Sequence, residues 1–181
     1  MARTFSNEIP LGTKIKSFKL FDPVSGSKKS LNELQSDKAT VIMFICNHCP
    51  FVKHINKELV QLGRDYIPKG VSFIAINSND VKNYPEDSPE KMIEVGYPFP
   101  YLFDETQEVA KAYDAACTPD FFVFDGNGNL TYHGQLDDAR PSNAIPVTGK
   151  DIRNSLEAIL KNKKVSHNQV PSIGCNIKWK S

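Results

Sequence analysis

Apolar positions along the chain form unbroken runs in some stretches and spaced series in others. "VIMFI" at 41–45 is a β-branched and aromatic run with no polar face, which predicts a central strand buried on both sides. "VSFIAI" at 71–76 predicts a second buried strand. Between them Val52, Ile55, Leu59, Leu62 and Tyr66 recur at helical spacing. Pro50 suits the first turn of that helix, where its missing N–H costs nothing, and "PKG" at 68–70 stops it. Strand, helix, strand in that order implies parallel pairing through a right-handed crossover.

Weaker patterns flank this unit. Residues 18–21 and 29–31 around the turn-rich "DPVSGS" predict a hairpin near the start. "NSNDVKNYPEDSPE" at 77–90 is a polar loop in which Ser88 would cap a short helix from Pro89 to about Val95. Residues 99–103 read as a short strand that Pro98 and Pro100 confine to a sheet edge, and 106–113 as a short helix. Residues 121–124 and 130–133 enclose "DGNG", a hairpin signal, and a last helix covers roughly 149–160. The remaining "NKKVSHNQVPSIGCNIKWKS" lacks periodicity, yet Ile173, Ile177 and Trp179 imply docking onto a surface. The expectation is one α/β domain over 1–181, with a central mixed sheet flanked by helices, an N-terminal hairpin and a C-terminal tail at 161–181 packed on it.

Composition narrows the function class. Of 181 residues 40% are apolar and 24% charged, as in an ordinary globular protein. A formal charge of +1 without a basic stripe excludes a nucleic-acid partner; "LKNKKV" at 160–165 reads as a solvated helix end. The opening "MARTFSNEIPLGTKI" has no apolar core of a signal peptide, and no later run approaches the ~20 residues of a membrane span. The expected setting is therefore cytoplasmic, without membrane association. In a reducing compartment the 4 cysteines point to redox or metal chemistry rather than a disulfide framework.

The chemistry concentrates at "CNHC". Cys46 falls at the end of the first predicted strand and Cys49 at the first turn of the helix. Open N–H groups and the positive dipole end there stabilise a thiolate, the attacking species in disulfide exchange. Two intervening residues let one sulfur attack while the other returns to close an intramolecular disulfide. His48, between them, offers a proton or a positive charge that tunes the pair. Zinc is the rival: Cys46, His48 and Cys49 are eligible ligands, but Cys117 and Cys175 stand alone where a structural site needs a second pair.

"AACTPDFF" at 115–122 precedes the last hairpin. A strand-end C-x-x-C, a strand–helix–strand unit and Thr118-Pro119 opening a β-hairpin resemble the thioredoxin superfamily, specifically its redoxin branch of AhpC/TSA and peroxiredoxin-like proteins. The resemblance runs from about Ile9 to Leu160, and "CNHCPFV", "LDDARP" and "PSIGCNIKWK" resemble a peroxiredoxin-like subgroup of small redoxins. It implies a thioredoxin-like fold in which Pro119 is cis and faces the cysteines, while Thr118 offers backbone hydrogen bonds to an extended substrate. The chain departs from its relatives at Ile45, where thioredoxins usually carry tryptophan, and in having no carboxylate on the entering strand. Against the peroxiredoxin pattern P-x-x-x-T-x-x-C, with Cys49 as the peroxidatic residue, Cys46 takes the threonine position and Ile42 the proline position. Arg140 is the one candidate for the later arginine of such enzymes, although "DDARP" more simply forms surface ion pairs among Asp137, Asp138 and Arg140.

The expected activity is thiol–disulfide oxidoreduction, with Cys46, the more exposed thiol, as nucleophile and Cys49 resolving. Thr118 and Pro119 form the docking rim. Cys117 is an accessory thiol or a small packing residue; Cys175 is a resolving, dimer-forming or packing one. The partners implied are a protein or small-molecule disulfide, or peroxide, and a cellular dithiol reductant. No metal or organic cofactor is required, and the chain is a monomer or homodimer. The alternatives are a thiol peroxidase acting through Cys49 and a non-catalytic zinc-binding or interaction module.

Overall fold

A computed structural model describes residues 3–181. In chain order its first elements are β1 (Arg3–Phe5), β2 (Lys19–Asp22), β3 (Ser27–Ser30), α1 (Leu31–Leu34), β4 (Ala39–Phe44) and α2 (Pro50–Tyr66). There follow β5 (Val71–Asn77), α3 (Pro89–Val95), β6 (Tyr101–Phe103), α4 (Glu108–Ala112) and β7 (Cys117–Thr118). The chain closes with β8 (Asp120–Asp125), β9 (Leu130–Gly134), α5 (Lys150–Leu160) and β10 (Ile173–Asn176).

The main sheet has seven strands in the order β3-β2-β6-β5-β4-β8-β9. β4 is its axis, parallel to β5 and antiparallel to β8. Because side chains alternate along a strand, β4 feeds two cores at once. Val41 and Met43 pack with Val52, Ile55, Leu59 and Leu62 of α2 and Ile152 and Leu156 of α5. Ile42 and Phe44 pack on the other face with Ile74, Ile76, Phe122, Phe124 and Ala110 of α4. This explains the missing polar face of 41–45, and each such side chain contributes about 1.5–3 kcal/mol by leaving water. The mixed sheet, the helices on both faces and the early hairpin follow the expected architecture.

One strand is placed differently from expectation. β6 lies between β2 and β5, inside the sheet. Pro98 and Pro100 both precede it, so their lack of an N–H removes nothing from its ladder, and the Pro100 carbonyl accepts the Ala75 N–H at 2.9 Å. Ser88 occupies the N-cap position of α3, but its side chain makes no capping hydrogen bond.

The tail contains a strand that no periodicity announces. β10 pairs antiparallel with β1 on one edge and with β7 on the other, giving a separate three-stranded sheet. Gly174 lies so close to Thr118 that a Cβ would run into the Thr118 carbonyl. Polar ties flank the strand: Ser172 Oγ donates to Pro119 O at 2.6 Å, and Gln107 Nε2 donates to Lys178 O at 2.8 Å. Among the described residues no helix is long and apolar enough to cross a membrane.

Candidate active site

Past Phe44, the Ile45 N–H still bonds to Ile76 O at 3.0 Å, after which the chain leaves the sheet and turns into α2. Cys49 is the N-cap residue of α2 and Pro50 its first residue. Across from them the Thr118-Pro119 bond is cis, as the resemblance implied. Cys46 Sγ lies 3.4 Å from Thr118 Oγ1, and Cys49 Sγ lies 3.2 Å from Thr118 O. Two segments separated by about seventy residues of chain thus meet at the sulfurs.

The pair is covered. Cys46 is 1% exposed and Cys49 0%, so both thiols are buried and exposure does not single out Cys46 as the attacking one. The cover is β10, whose Cys175 stands opposite Thr118 in the strand register and brings its Sγ to 2.8 Å from Cys49 Sγ. The backbone edge of Thr118 expected to receive an extended substrate is therefore occupied by the chain's own tail.

The neighbours of Cys49 favour its charged form, while Thr118 O, an acceptor, takes its S–H. Cys46 contributes most, donating its S–H; burial opposes, and the Cys175 thiol and the backbone N–H groups of Val52 and Cys175 also favour the thiolate. Together they bring the Cys49 thiol down to about 5. The Val52 donor is one of the orphan N–H groups of the first helical turn, the physical content of a cysteine at an N-cap. Cys46 goes the other way, held protonated by its hydrogen bond to Cys49, by burial and by the charge of Asp87. Cys175 is pushed up to about 12 by burial and by its bond to Cys49.

Asp87, which the sequence did not single out, organises the loop. Its Oδ1 accepts the N–H groups of Asn47 at 2.8 Å and His48 at 3.1 Å. Its Oδ2 meets His48 Nδ1 at 2.6 Å and Asn79 Nδ2 at 2.8 Å. Burial raises the Asp87 carboxyl, but the bonds from His48 and Asn79 and the His48 charge outweigh it and leave it below its ordinary value. The Asp87 bond in turn holds His48 above its ordinary value against burial. The ring stacks on Tyr84 at 5.2 Å. Cys46, His48 and Asp87 place one ligand atom each within 4.8 Å of one another. A metal bound through Nδ1 would displace the short His48–Asp87 bond, whereas Nε2, buried without a partner among the described residues, is open to one with Asp87 orienting the ring; the set offers three ligands where structural zinc takes four.

The other predicted residues sit around this centre. Cys117 is fully buried and donates to Pro119 O at 3.5 Å within its own loop, and burial with the nearby Asp120 charge keeps it protonated. β4 has no carboxylate, but the adjacent β8 supplies a buried one: Asp120 lies opposite Phe44 and bonds His133 Nε2 at 2.9 Å. Arg140 donates to Asp137 O at 2.6 Å, to Ala139 O at 2.7 Å and to Gln135 Oε1. It binds its own loop beside Pro119 and Ser172. The expected surface pairing of "DDARP" is also revised: buried Asp137 accepts the N–H groups of Ala139, Thr148 and Gly149, and among the described residues Asp138 alone of the three forms an ion pair, with Lys150.

Comparison with known proteins agrees with this geometry. A model of the AhpC/TSA family matches residues 11–133, a span that holds Cys46, Cys49 and Thr118-Pro119 and stops before the tail. An uncharacterized conserved protein from Geobacillus kaustophilus is 61% identical, with a TM-score of 0.97 over 99% of this chain and 97% of its own. A hypothetical protein from Sinorhizobium meliloti is 49% identical, with a TM-score of 0.95 over 98% of this chain and 99% of its own. The thioredoxin domain of a thiol-disulfide oxidoreductase from Bacteroides vulgatus is 17% identical, with a TM-score of 0.65 over 84% of this chain and 99% of its own, a likeness of fold. No curated protein matches the chain.

Proposed function

The chain belongs to the AhpC/TSA family and has a thioredoxin-like fold, and from that premise we propose that it is a thiol–disulfide oxidoreductase whose working couple is Cys46 and Cys49. The observation that carries this reading is the meeting of both sulfurs with Thr118, at 3.4 Å and 3.2 Å, across the strand-to-helix junction.

The lowered Cys49 thiol supports one order of events. Cys49, the thiolate, attacks one sulfur of a substrate disulfide; a mixed disulfide forms at Cys49 and the other substrate sulfur leaves as a thiol. Cys46 gives up its proton and attacks Cys49 Sγ, which closes Cys46–Cys49 and releases the second substrate thiol. Two electrons pass to the substrate, and a cellular dithiol returns them to the pair. This order reverses the expectation from sequence that Cys46 attacks first. Asp87 strengthens the hold of His48 on a proton, and the protonated ring places a positive charge beside the motif that favours a thiolate. A reducing cytoplasmic setting, with no resident cofactor, completes the proposal.

The test is the reduction potential of the couple with mass mapping of the oxidised protein. A Cys46–Cys49 disulfide that forms with a small disulfide and reopens with a dithiol is the expected result. A protein that stays folded but never forms that bond would refute the proposal.

A second reading, thiol peroxidase, draws on one observation: Cys49 is held down to about 5 by a neighbour, Cys46, at the position where peroxiredoxins carry threonine. Rapid peroxide consumption in stopped flow that survives Cys46→Ser and ends with Cys49→Ser would select it over the first.

A further inference from the structure

We infer that Cys175 is a third exchange thiol of this site, taking over the disulfide from Cys46 by attack on Cys49. The inference rests on the reading of Cys46 and Cys49 as a redox couple and extends it to a tail that the family match does not reach.

The geometry brings Cys175 to the reacting atom. Its Sγ is 2.8 Å from Cys49 Sγ, within about 1 Å of the ~2.0 Å length of a disulfide bond. Its placement is built into the backbone rather than left to a flexible end. β10 is paired on both edges, with Arg3 opposite Cys175 on one side and Thr118 opposite it on the other. Gly174 permits that approach, because any Cβ would strike the Thr118 carbonyl. A strand added at the backbone edge beside the sulfurs is the way an extended peptide adds to an exposed edge, so the tail stands where a cysteine-bearing substrate strand would lie.

The step balances without an outside oxidant. In the oxidised couple, Cys175 loses its proton and its sulfur attacks Cys49 Sγ. The Cys49–Cys175 bond forms, the Cys46–Cys49 bond breaks, and Cys46 leaves as a thiolate and takes up a proton. The count of disulfides is unchanged. Burial and the Cys49 charge hold the Cys175 proton in the reduced protein; oxidation of Cys49 removes the second of these, so that burial alone still opposes the thiolate and Lys178 works against burial. In the new isomer β10 is fixed covalently across the rim, and Cys46 is the sulfur of the motif left free to react.

The experiment is a quenched time course on the full chain. Protein is exposed to glutathione disulfide, stopped with acid and an alkylating agent, and mapped by mass spectrometry. In the unaltered protein Cys46–Cys49 should appear first and Cys49–Cys175 should grow from it. In Cys46→Ala, Cys49 first takes up glutathione and Cys175 then displaces it, so Cys49–Cys175 should form directly. Gly174→Ala, which keeps every thiol but lifts the tail, should slow Cys49–Cys175 at least tenfold while leaving Cys46–Cys49. The inference is overturned if the unaltered protein forms Cys46–Cys49 alone and Cys46→Ala stays glutathionylated at Cys49. If neither bond forms in the folded protein, the redox couple fails together with it, an outcome distinct from the first.

Discussion

β4, buried throughout, and β10, buried at its two middle residues, border the same cluster of sulfurs, yet different forces hold them. All six residues of β4 are buried, and its side chains feed cores on both faces of the sheet. β10 has four residues, of which Gly174 and Cys175 are the buried ones. What holds β10 is backbone pairing, a close approach that only glycine permits, and polar ties such as Ser172 Oγ to Pro119 O. A strand fixed by side-chain burial can leave only when the domain unfolds, whereas one fixed by backbone pairing at an edge can open locally at much lower cost. The site is thus assembled from a rigid wall carrying Cys46 and Cys49 and a detachable wall carrying Cys175.

The largest expected effect tests the rigid wall. Leu59, on α2, is 0% exposed against β4. Leu59→Ala should cost about 2–5 kcal/mol in denaturant unfolding, from lost burial and the cavity left behind. A loss below about 1 kcal/mol would mean that this wall is less tightly packed than its burial indicates.

Asp87→Asn comes next, because it cuts the tie between the motif loop and the segment after β5. Hydrogen bonds to charged groups contribute about 1.5–3 kcal/mol, and that is the expected loss near pH 5. The sign follows from both partners. His48 is raised when folded, so its contribution is complete below its ordinary ~6.5 and fades as pH rises through its folded value. Asp87 is lowered, so its contribution is present above its ordinary ~3.9 and fades as pH falls through its folded value. The gap between the two proteins should therefore be widest from about pH 4 to 6.5 and narrow on either side. A gap independent of pH would show that the pair is not ionised.

How legible each wall is in the sequence follows from what holds it. Unbroken apolar runs and helical spacing record burial, so β4, β5 and α2 are readable from residues 41–45, 71–76 and 52–66. The C-x-x-C spacing is readable as a local pattern with a known chemical use, and Thr118-Pro119 through the family resemblance. β10 leaves no such trace. "IGCN" neither alternates nor has β-branched residues beyond Ile173, and its glycine argues against a strand until the Thr118 carbonyl is seen beside it. Asp87 was hidden in a polar loop because its value lies in where the loop returns, 40 residues from Asn47. The interior place of β6 is masked in the sequence because Pro98 and Pro100 lie next to the strand and not in it.

Gly174→Ala tests the detachable wall and should separate local from global stability. Its added Cβ meets the Thr118 carbonyl, so β10 should lift and draw Cys175 and the adjoining Ile177 from the margins of the two cores, while the main sheet and α2 stay packed. Unfolding should shift by less than about 1 kcal/mol, and alkylation of Cys46 and Cys49 should rise on the order of tenfold, equivalent to about 1.4 kcal/mol of docking free energy. If global stability falls as far as in Leu59→Ala, the two strands belong to one cooperative unit.

Which wall sets the charge on Cys49 shows in its titration rather than in stability. Cys46 donates from the rigid side and Cys175 from the tail, and the Cys46 contribution is the larger. Thiolate absorbance in the reduced protein should titrate near 5, with the signal gone in Cys49→Ser. A bond to a charged group contributes about 1.5–3 kcal/mol and a pH unit equals about 1.4, so Cys46→Ala should raise the midpoint by roughly one to two pH units. Cys175→Ala should raise it by less, because the Val52 N–H and the Cys46 thiol remain in place. Equal shifts would mean that the tail is as fixed as the sheet, and a larger shift for Cys175→Ala would mean that docking of the tail, more than the helix start, creates the reactive thiolate.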